Sequence, residues 1–102
     1  MEQTIFVKTL GDYPLIRILD FLIESRDFDY PITEIARNAD VNFQTLKKLW
    51  PQLEKKKMIT ETRTVAGAHL YKINTNNQVV KKLIDFDISL GWKNVEEKAM
   101  VR

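Results

Sequence analysis

At 102 residues, with 44% apolar and 29% charged side chains, the chain can bury one modest hydrophobic core but not two. It contains no cysteine, which excludes disulfides and thiolate metal sites, and its longest uncharged apolar run is far too short to cross a bilayer. The N-terminus lacks a basic stretch followed by an apolar one, so the expectation is a soluble, cytoplasmic protein that is not exported.

The net charge of +2 conceals an uneven distribution. From Asn42 to Lys72, seven cations (Lys47, Lys48, Lys55, Lys56, Lys57, Arg63 and Lys72) stand against Glu54 and Glu61, a balance of +5. From Asp12 to Asp40, seven acids stand against Arg17, Arg26 and Arg37, a balance of −4. Clustered positive charge attracts polyanions. Lysine-rich helix ends are also common as plain solvated surface, so charge alone leaves the two readings level.

In chain order, TIFVKTL near the N-terminus is short, β-branched and aromatic, and predicts a strand or extended arm. Gly11-Asp12-Tyr13-Pro14 starts a helix over 13–25, with proline tolerated in its first turn and Leu15, Ile18, Leu19 and Leu22 at helical spacing. A loop follows, with a very short extended piece at Tyr30–Ile32. Thr33 is then expected to cap a brief helix whose Ile35 and Ala36 face inward.

Asn42 caps the next helix, expected to run through Lys57, with Leu46, Leu49, Trp50 and Leu53 on one face. Pro51 interrupts this pattern; a proline inside a helix lacks an N–H, crowds the carbonyl four residues back, and costs about 3 kcal/mol. Ile59–Val65 and His69–Ile73 predict two strands joined by a turn at Ala66-Gly67-Ala68. A long helix over Gln78–Leu90 is expected to end at Gly91. Residues 1–90 thus make one domain. Residues 91–102 form a tail with weak helical periodicity at Trp92, Val95 and Ala99.

This order of elements describes an α+β domain carrying a two-stranded ribbon. The residues from Ile32 to Asn74 go further. Ile35-Ala36, the tight turn at Ala39–Val41, Thr45-Leu46, Leu53-Glu54, Met58-Ile59 and a Gly-turned hairpin ending Tyr71-Lys72-Ile73 follow one another at the spacing of a winged helix-turn-helix. The stretch resembles transcriptional regulators of that fold, most closely small archaeal ones and more distantly the arsenic- and multiple-antibiotic-resistance repressors. The resemblance covers about residues 12–90 and implies a three-helix core, a two-stranded wing and a C-terminal helix. Such sequences usually place glycine where the recognition helix ends in a left-handed turn; here Lys57 holds that place, at a cost of roughly 1 kcal/mol or more. The resemblance also favours a continuous helix kinked after Lys47–Lys48 over two separate helices at Pro51, with 43–50 as the part that matters for binding.

With Leu46, Trp50 and Leu53 committed to the core, the recognition helix presents Gln44, Thr45, Lys48 and, at its edge, Lys47. In a major groove, glutamine can bond adenine, threonine can touch a thymine methyl, and lysine can reach guanine or phosphate. Asn42 and Thr33, at helix starts, are candidates for phosphate contact. On the wing, Arg63, Thr64, His69 and Lys72 are candidates for the neighbouring backbone or minor groove. A solvated helix face is the plain alternative for these residues, and the resemblance weighs against it.

No metal or cofactor is expected. His69 is the only histidine, and a zinc or iron site needs three or four ligands. Ser25 and Ser89 have no neighbouring histidine in sequence, there is no glycine-rich phosphate loop, and Asp85 and Asp87 diverge on a helix, so no enzyme activity is expected. In the last helix, Val79, Val80, Leu83, Ile84, Phe86, Ile88 and Leu90 spread over roughly 200° of the wheel, against about 100° for one buried face. Phe21 lies on the polar side of the first helix, and Phe6 is one of several apolar residues on its segment. Phe6, Phe21, Val79, Leu83, Phe86 and Leu90 therefore make a candidate homodimer interface. The sequence points to a dimeric, sequence-specific binder of double-stranded DNA. A winged-helix adaptor that binds protein is the competing class, and binding of nucleic acid by shape alone is a third. Any small-molecule effector is invisible in the sequence.

Overall fold

The computed structural model describes residues 3–100. Its elements are α1 (Ile5–Leu10), α2 (Pro14–Glu24), β1 (Tyr30–Pro31), α3 (Ile32–Asn38), α4 (Phe43–Lys55), β2 (Ile59–Val65), β3 (Ala68–Ile73) and α5 (Gln78–Met100). The three strands form one antiparallel sheet in the order β1-β3-β2. β1 pairs Tyr30 with Tyr71 and Pro31 with Leu70, and Pro31 is accommodated because β1 is an edge strand. Ile18, Leu22, Ile23, Ile35, Leu46, Ile73 and Val80 are fully buried and bring α2, α3, α4, β3 and α5 onto a single core.

The N-terminal segment is a helix, not the expected strand. The Thr4 hydroxyl caps it by accepting a bond from the Val7 amide at 3.2 Å, and the Gly11 amide closes it onto the Val7 carbonyl at 2.8 Å. Phe6 and Val7 are both buried although adjacent, which a strand with one covered face does not allow. Their packing against α2 and α5 outweighs the β-preference of the isolated segment. The Phe6 ring meets Phe86 edge-on, with centroids 6.2 Å apart.

Left-handed turns end both α3 and α4. At the end of α3, Asp40 has φ 55°, its amide bonds the Arg37 carbonyl at 3.2 Å, and the Val41 amide bonds the Ala36 carbonyl at 2.9 Å. That pair of bonds is a Schellman cap, and it turns the chain into α4 with Ala39 and Val41 buried beneath it. The Asn42 side chain then caps α4, accepting from the Gln44 amide at 2.8 Å.

α4 runs unbroken through Pro51 as far as Lys55. Its end repeats the Schellman pattern: Lys57 has φ 58°, its amide reaches the Glu54 carbonyl at 3.0 Å, and the Met58 amide reaches the Leu53 carbonyl at 3.0 Å. The backbone is thus left-handed where glycine was expected. Two asparagines hold it from outside. Asn74 donates to the Lys57 carbonyl at 2.9 Å, and Asn77 donates to the carbonyls of Lys56 and Lys57 at 2.9 and 3.1 Å. Asn77 also accepts from the Val80 amide at 3.0 Å, so one side chain ties the end of α4 to the start of α5.

Two further expectations are corrected. α3 begins at Ile32 after Pro31, so Thr33 lies inside its first turn and does not cap it. α5 passes straight through Gly91 to Met100. A glycine ends a helix only when the backbone turns left-handed there; Gly91 keeps a helical backbone at a cost of about 1 kcal/mol relative to alanine. The side chains of Trp92, Val95 and Ala99 lie outside the described residues.

Candidate nucleic-acid interface

α4 divides cleanly by face. Leu46, Trp50 and Leu53 are buried, and the Trp50 ring meets Tyr71 of β3 edge-on at 5.4 Å, which fixes the rotation of the helix against the sheet. The opposite side leaves Gln44, Lys47 and Lys48 exposed and Thr45 half-buried. Asn42 is exposed at the start of the helix. The Lys47 ammonium stands 5.5 Å from the Phe43 ring centroid, a weak cation–π contact that holds it to the edge of the face. Lys55 lies seven residues beyond Lys48, on the same side, and is also exposed. It extends the face beyond the expected residues, and helical spacing alone identifies it. Among the described residues, no carboxylate forms an ion pair with any of these lysines.

The wing is a hairpin closed by Ala66 and Gly67 at φ 50° and 81°, the two left-handed residues of a tight primed turn. The register pairs Thr64 with His69 and Val65 with Ala68, and slips once between Glu61 and Arg63. That bulge changes the setting of the wing's cations. Arg63 makes a two-pronged pair with Asp29, Nε to Oδ2 at 3.0 Å and Nη2 to Oδ1 at 3.2 Å, and the Thr62 hydroxyl donates to the same carboxylate. These hydrogen bonds, the arginine's first, hold the Asp29 carboxyl below the usual carboxylate range, and the carboxylate in turn raises Arg63. His69 Nδ1 lies 3.0 Å from Glu61 Oε1 and 3.4 Å from the Thr64 hydroxyl. Lys72 is half-buried opposite Thr60.

The expected site residues therefore fall into groups. Asn42, Gln44, Thr45, Lys47 and Lys48 lie together along the start of α4. Thr64 and His69 face one another on the outer part of the wing, and both are exposed. Arg63 is exposed too but is held by a carboxylate. Thr33 is exposed on α3 without the capping role expected of it. Asp29 is the residue that sequence reasoning missed, because it lies 34 positions before Arg63 and nothing local marks it.

The candidate partner surface is narrower than expected. Phe6 is 1% exposed, so its ring is spent inside the chain and leaves the expected interface. Phe21 is half-buried against Tyr30, with ring centroids 5.2 Å apart. On α5, Val79 and Ile88 are exposed at 56% and 44%, while Leu83, Phe86 and Leu90 are half-buried.

Clefts also open elsewhere among the described residues. One of about 240 Å³ lies between α1, α2 and the turn at Ala39-Asp40, lined by Asp12, Arg17, Asp20, Phe21 and Glu24. Burial raises the Asp20 carboxyl there, only partly offset by the bond it accepts from the Thr4 hydroxyl. Another, about 510 Å³, is apolar and lined by Leu15, Leu19, Leu53, Met58 and Val79. Among the described residues, no three histidine, aspartate or glutamate side chains gather at one point, and no helix is long and apolar enough to cross a membrane.

No protein-family description matches the chain, and no curated protein is similar to it in sequence. Solved structures do resemble it. MepR, a transcription regulator of the Staphylococcus aureus multidrug efflux pump MepA, superposes with a TM-score of 0.60 at 18% identity over 82% of this chain and 59% of its own. The MarR family transcriptional regulator SPO1453 from Silicibacter pomeroyi gives 0.59 at 12% identity, over 89% of this chain and 65% of its own. Sso10a-2, a DNA-binding protein from Sulfolobus solfataricus, gives 0.53 at 19% identity, over 83% of this chain and 88% of its own. The chain thus spans less than two thirds of the length of the first two. At these identities the likeness is one of fold, and it agrees with the element order: the chain has an α+β winged helix-turn-helix fold, with α3 and α4 as the helix pair and β2–β3 as the wing.

Proposed function

We propose that the chain binds double-stranded DNA as a dimeric transcriptional regulator, with α4 in the major groove and the wing on the adjacent backbone. The observation that carries this reading is the outer face of α4. It presents amide, hydroxyl and ammonium groups side by side at Gln44, Thr45, Lys47 and Lys48, while the inner face is locked by Leu46, Trp50 and Leu53. A rigid helix with such a face suits base edges and phosphates together. Regulators of similar fold support the reading, and the Sulfolobus protein, matched over most of its length, favours kinship with small archaeal regulators. On this reading the protein is not an enzyme, needs no cofactor, and works in the cytoplasm.

Dimerisation is the second part of the proposal. Val79 leaves apolar area in water on α5, and Leu83, Phe86 and Leu90 share its side of the helix, whereas exposed Ile88, nine residues on, lies on the opposite side. Pairing two copies through this helix, with Phe21 at the margin, covers that area. A twofold dimer then sets two α4 helices about 34 Å apart, or a multiple of that, and reads a near-palindromic site.

Selection from a pool of random-sequence duplexes tests both parts. Enrichment of a two-half-site sequence supports the proposal. Salt-sensitive binding without enrichment refutes base readout and leaves recognition by shape. Absence of binding even at low salt refutes the DNA reading and favours the protein-binding class, with α5 as the docking face.

A further inference from the structure

The geometry points to Asp29 as a positioning residue for Arg63, one that makes the wing arginine a reader of a fixed place on the duplex and not a free phosphate clamp. This rests on the proposed DNA binding and adds to it a residue outside the helix-turn-helix and the wing.

The bulge at Thr62 is the starting point. A regular strand sends successive side chains to opposite faces. The slip between Glu61 and Arg63 instead lets Thr62 and Arg63 reach the same carboxylate. Asp29 comes from the loop between α2 and β1 and accepts from Arg63 with both oxygens. Its side chain is 18% exposed, whereas that of Arg63 is 64% exposed. The carboxylate therefore sits behind the guanidinium, with the arginine on the solvent side. A guanidinium carries five N–H groups, and two are used here, so three remain for a phosphate or a base edge.

Charge and position then pull in different directions. Arginine held in a fork loses less freedom on binding than a long side chain swinging in water. At a distance, however, the Asp29 charge cancels that of Arg63. The wing has little else to attract a polyanion, because His69 lies against Glu61, Lys72 is half-buried, and Val65 to Ala68 carry no charge. With Asp29 present, the wing adds little to indiscriminate attraction and acts only at contact, where geometry is tested. That arrangement favours discrimination over general affinity.

The experiment compares the full chain with Asp29→Asn, Arg63→Ala, the double variant and Arg63→Lys. Each is titrated against its best selected duplex and against random-sequence duplex at two salt concentrations. For Asp29→Asn, random-duplex binding is expected to tighten about threefold with a salt slope steeper by up to about 0.9, as one more free cation requires. The ratio of selected to random affinity is expected to fall about tenfold. Arg63→Lys, which keeps the charge and loses the fork, should lower the ratio without steepening the slope. In the Arg63→Ala background Asp29→Asn removes a negative charge and should tighten both duplexes alike, leaving the ratio unchanged, and this separates positioning from a general effect of charge. Should Asp29→Asn fail to fold, Arg63→Lys carries the test.

An unchanged ratio in Asp29→Asn, an equal loss on both duplexes, or a fall in the ratio that persists without Arg63 overturns the inference. So does a wild type that binds duplex but prefers none. If Lys48→Ala weakens binding while Asp29→Asn is silent, this inference falls alone. If the wild type binds no duplex at all, the DNA reading falls with it.

Discussion

Lys57 offers a stability test whose sign follows from the backbone. It sits at φ 58° at the end of α4, in a region where a side chain with a Cβ costs about 1–2 kcal/mol. Every hydrogen bond that fixes this turn uses main-chain atoms of residues 52–58 or the side chains of Asn74 and Asn77. Replacing Lys57 by glycine removes none of them. Glycine loses about 0.5–1 kcal/mol more backbone entropy on folding, which offsets part of the relief. The net expectation is a gain of about 0.5–1 kcal/mol, or roughly 2–5 °C in Tm for a domain of this size. Thermal and urea unfolding of Lys57→Gly should be compared with Lys57→Ala, which keeps the Cβ and drops the amine. The alanine variant should stay within about 0.5 kcal/mol of the parent, as a surface change with no special role does. A glycine variant no more stable than the alanine one refutes the reasoning, and means that the asparagine clamp has already removed the strain.

Three other outcomes follow from the same geometry. Pro51→Ala restores an N–H to an unbroken helix; after the stiffer unfolded chain is discounted, unfolding free energy should rise by about 1–2 kcal/mol in denaturant titration. Leu83→Asp, on the proposed dimer face, should sediment as a monomer, and a surviving dimer removes α5 from the interface. Acid unfolding should respond oppositely to two carboxylates. The Asp29 carboxyl is depressed, so its stabilisation is present above the ordinary value of 3.8 and is lost as pH falls through the lower folded value. The Asp20 carboxyl is raised by burial, so its penalty is full at high pH and is relieved as pH falls through the higher folded value. Between about pH 5 and about pH 3, Asp29→Asn should therefore lose less stability than the parent, and Asp20→Asn more.

What the sequence disclosed was what repeats at short range. The stripe Leu46–Trp50–Leu53 gives α4, its buried side and hence its outer face, because helical spacing alone decides which side chains share a surface. The turn at Ala39–Val41, the hairpin at Ala66-Gly67 and the left-handed position of Lys57 are equally local. What it hid depends on tertiary contact. TIFVKTL has strand-like composition, yet Phe6 packs on Phe86, 80 positions away, and the segment is a helix. The same burial removes Phe6 from the partner surface. Gly91 looks like a stop, but nothing in the fold turns the chain there. Most consequential for the site, Arg63 read as a free cation because its partner lies in the acidic half of the chain, and only the folded sheet edge brings Asp29 beside it.

The central claim rests on the outer face of α4, and Lys48 tests it most directly. Wild type and Lys48→Ala should be titrated with duplex DNA at two salt concentrations, with melting curves confirming an unchanged fold. The account predicts salt-sensitive binding by the wild type, and in Lys48→Ala a weaker affinity with a salt slope shallower by about 0.9. Equal binding by the two proteins at every salt concentration, or no binding by the wild type at the lowest, contradicts it.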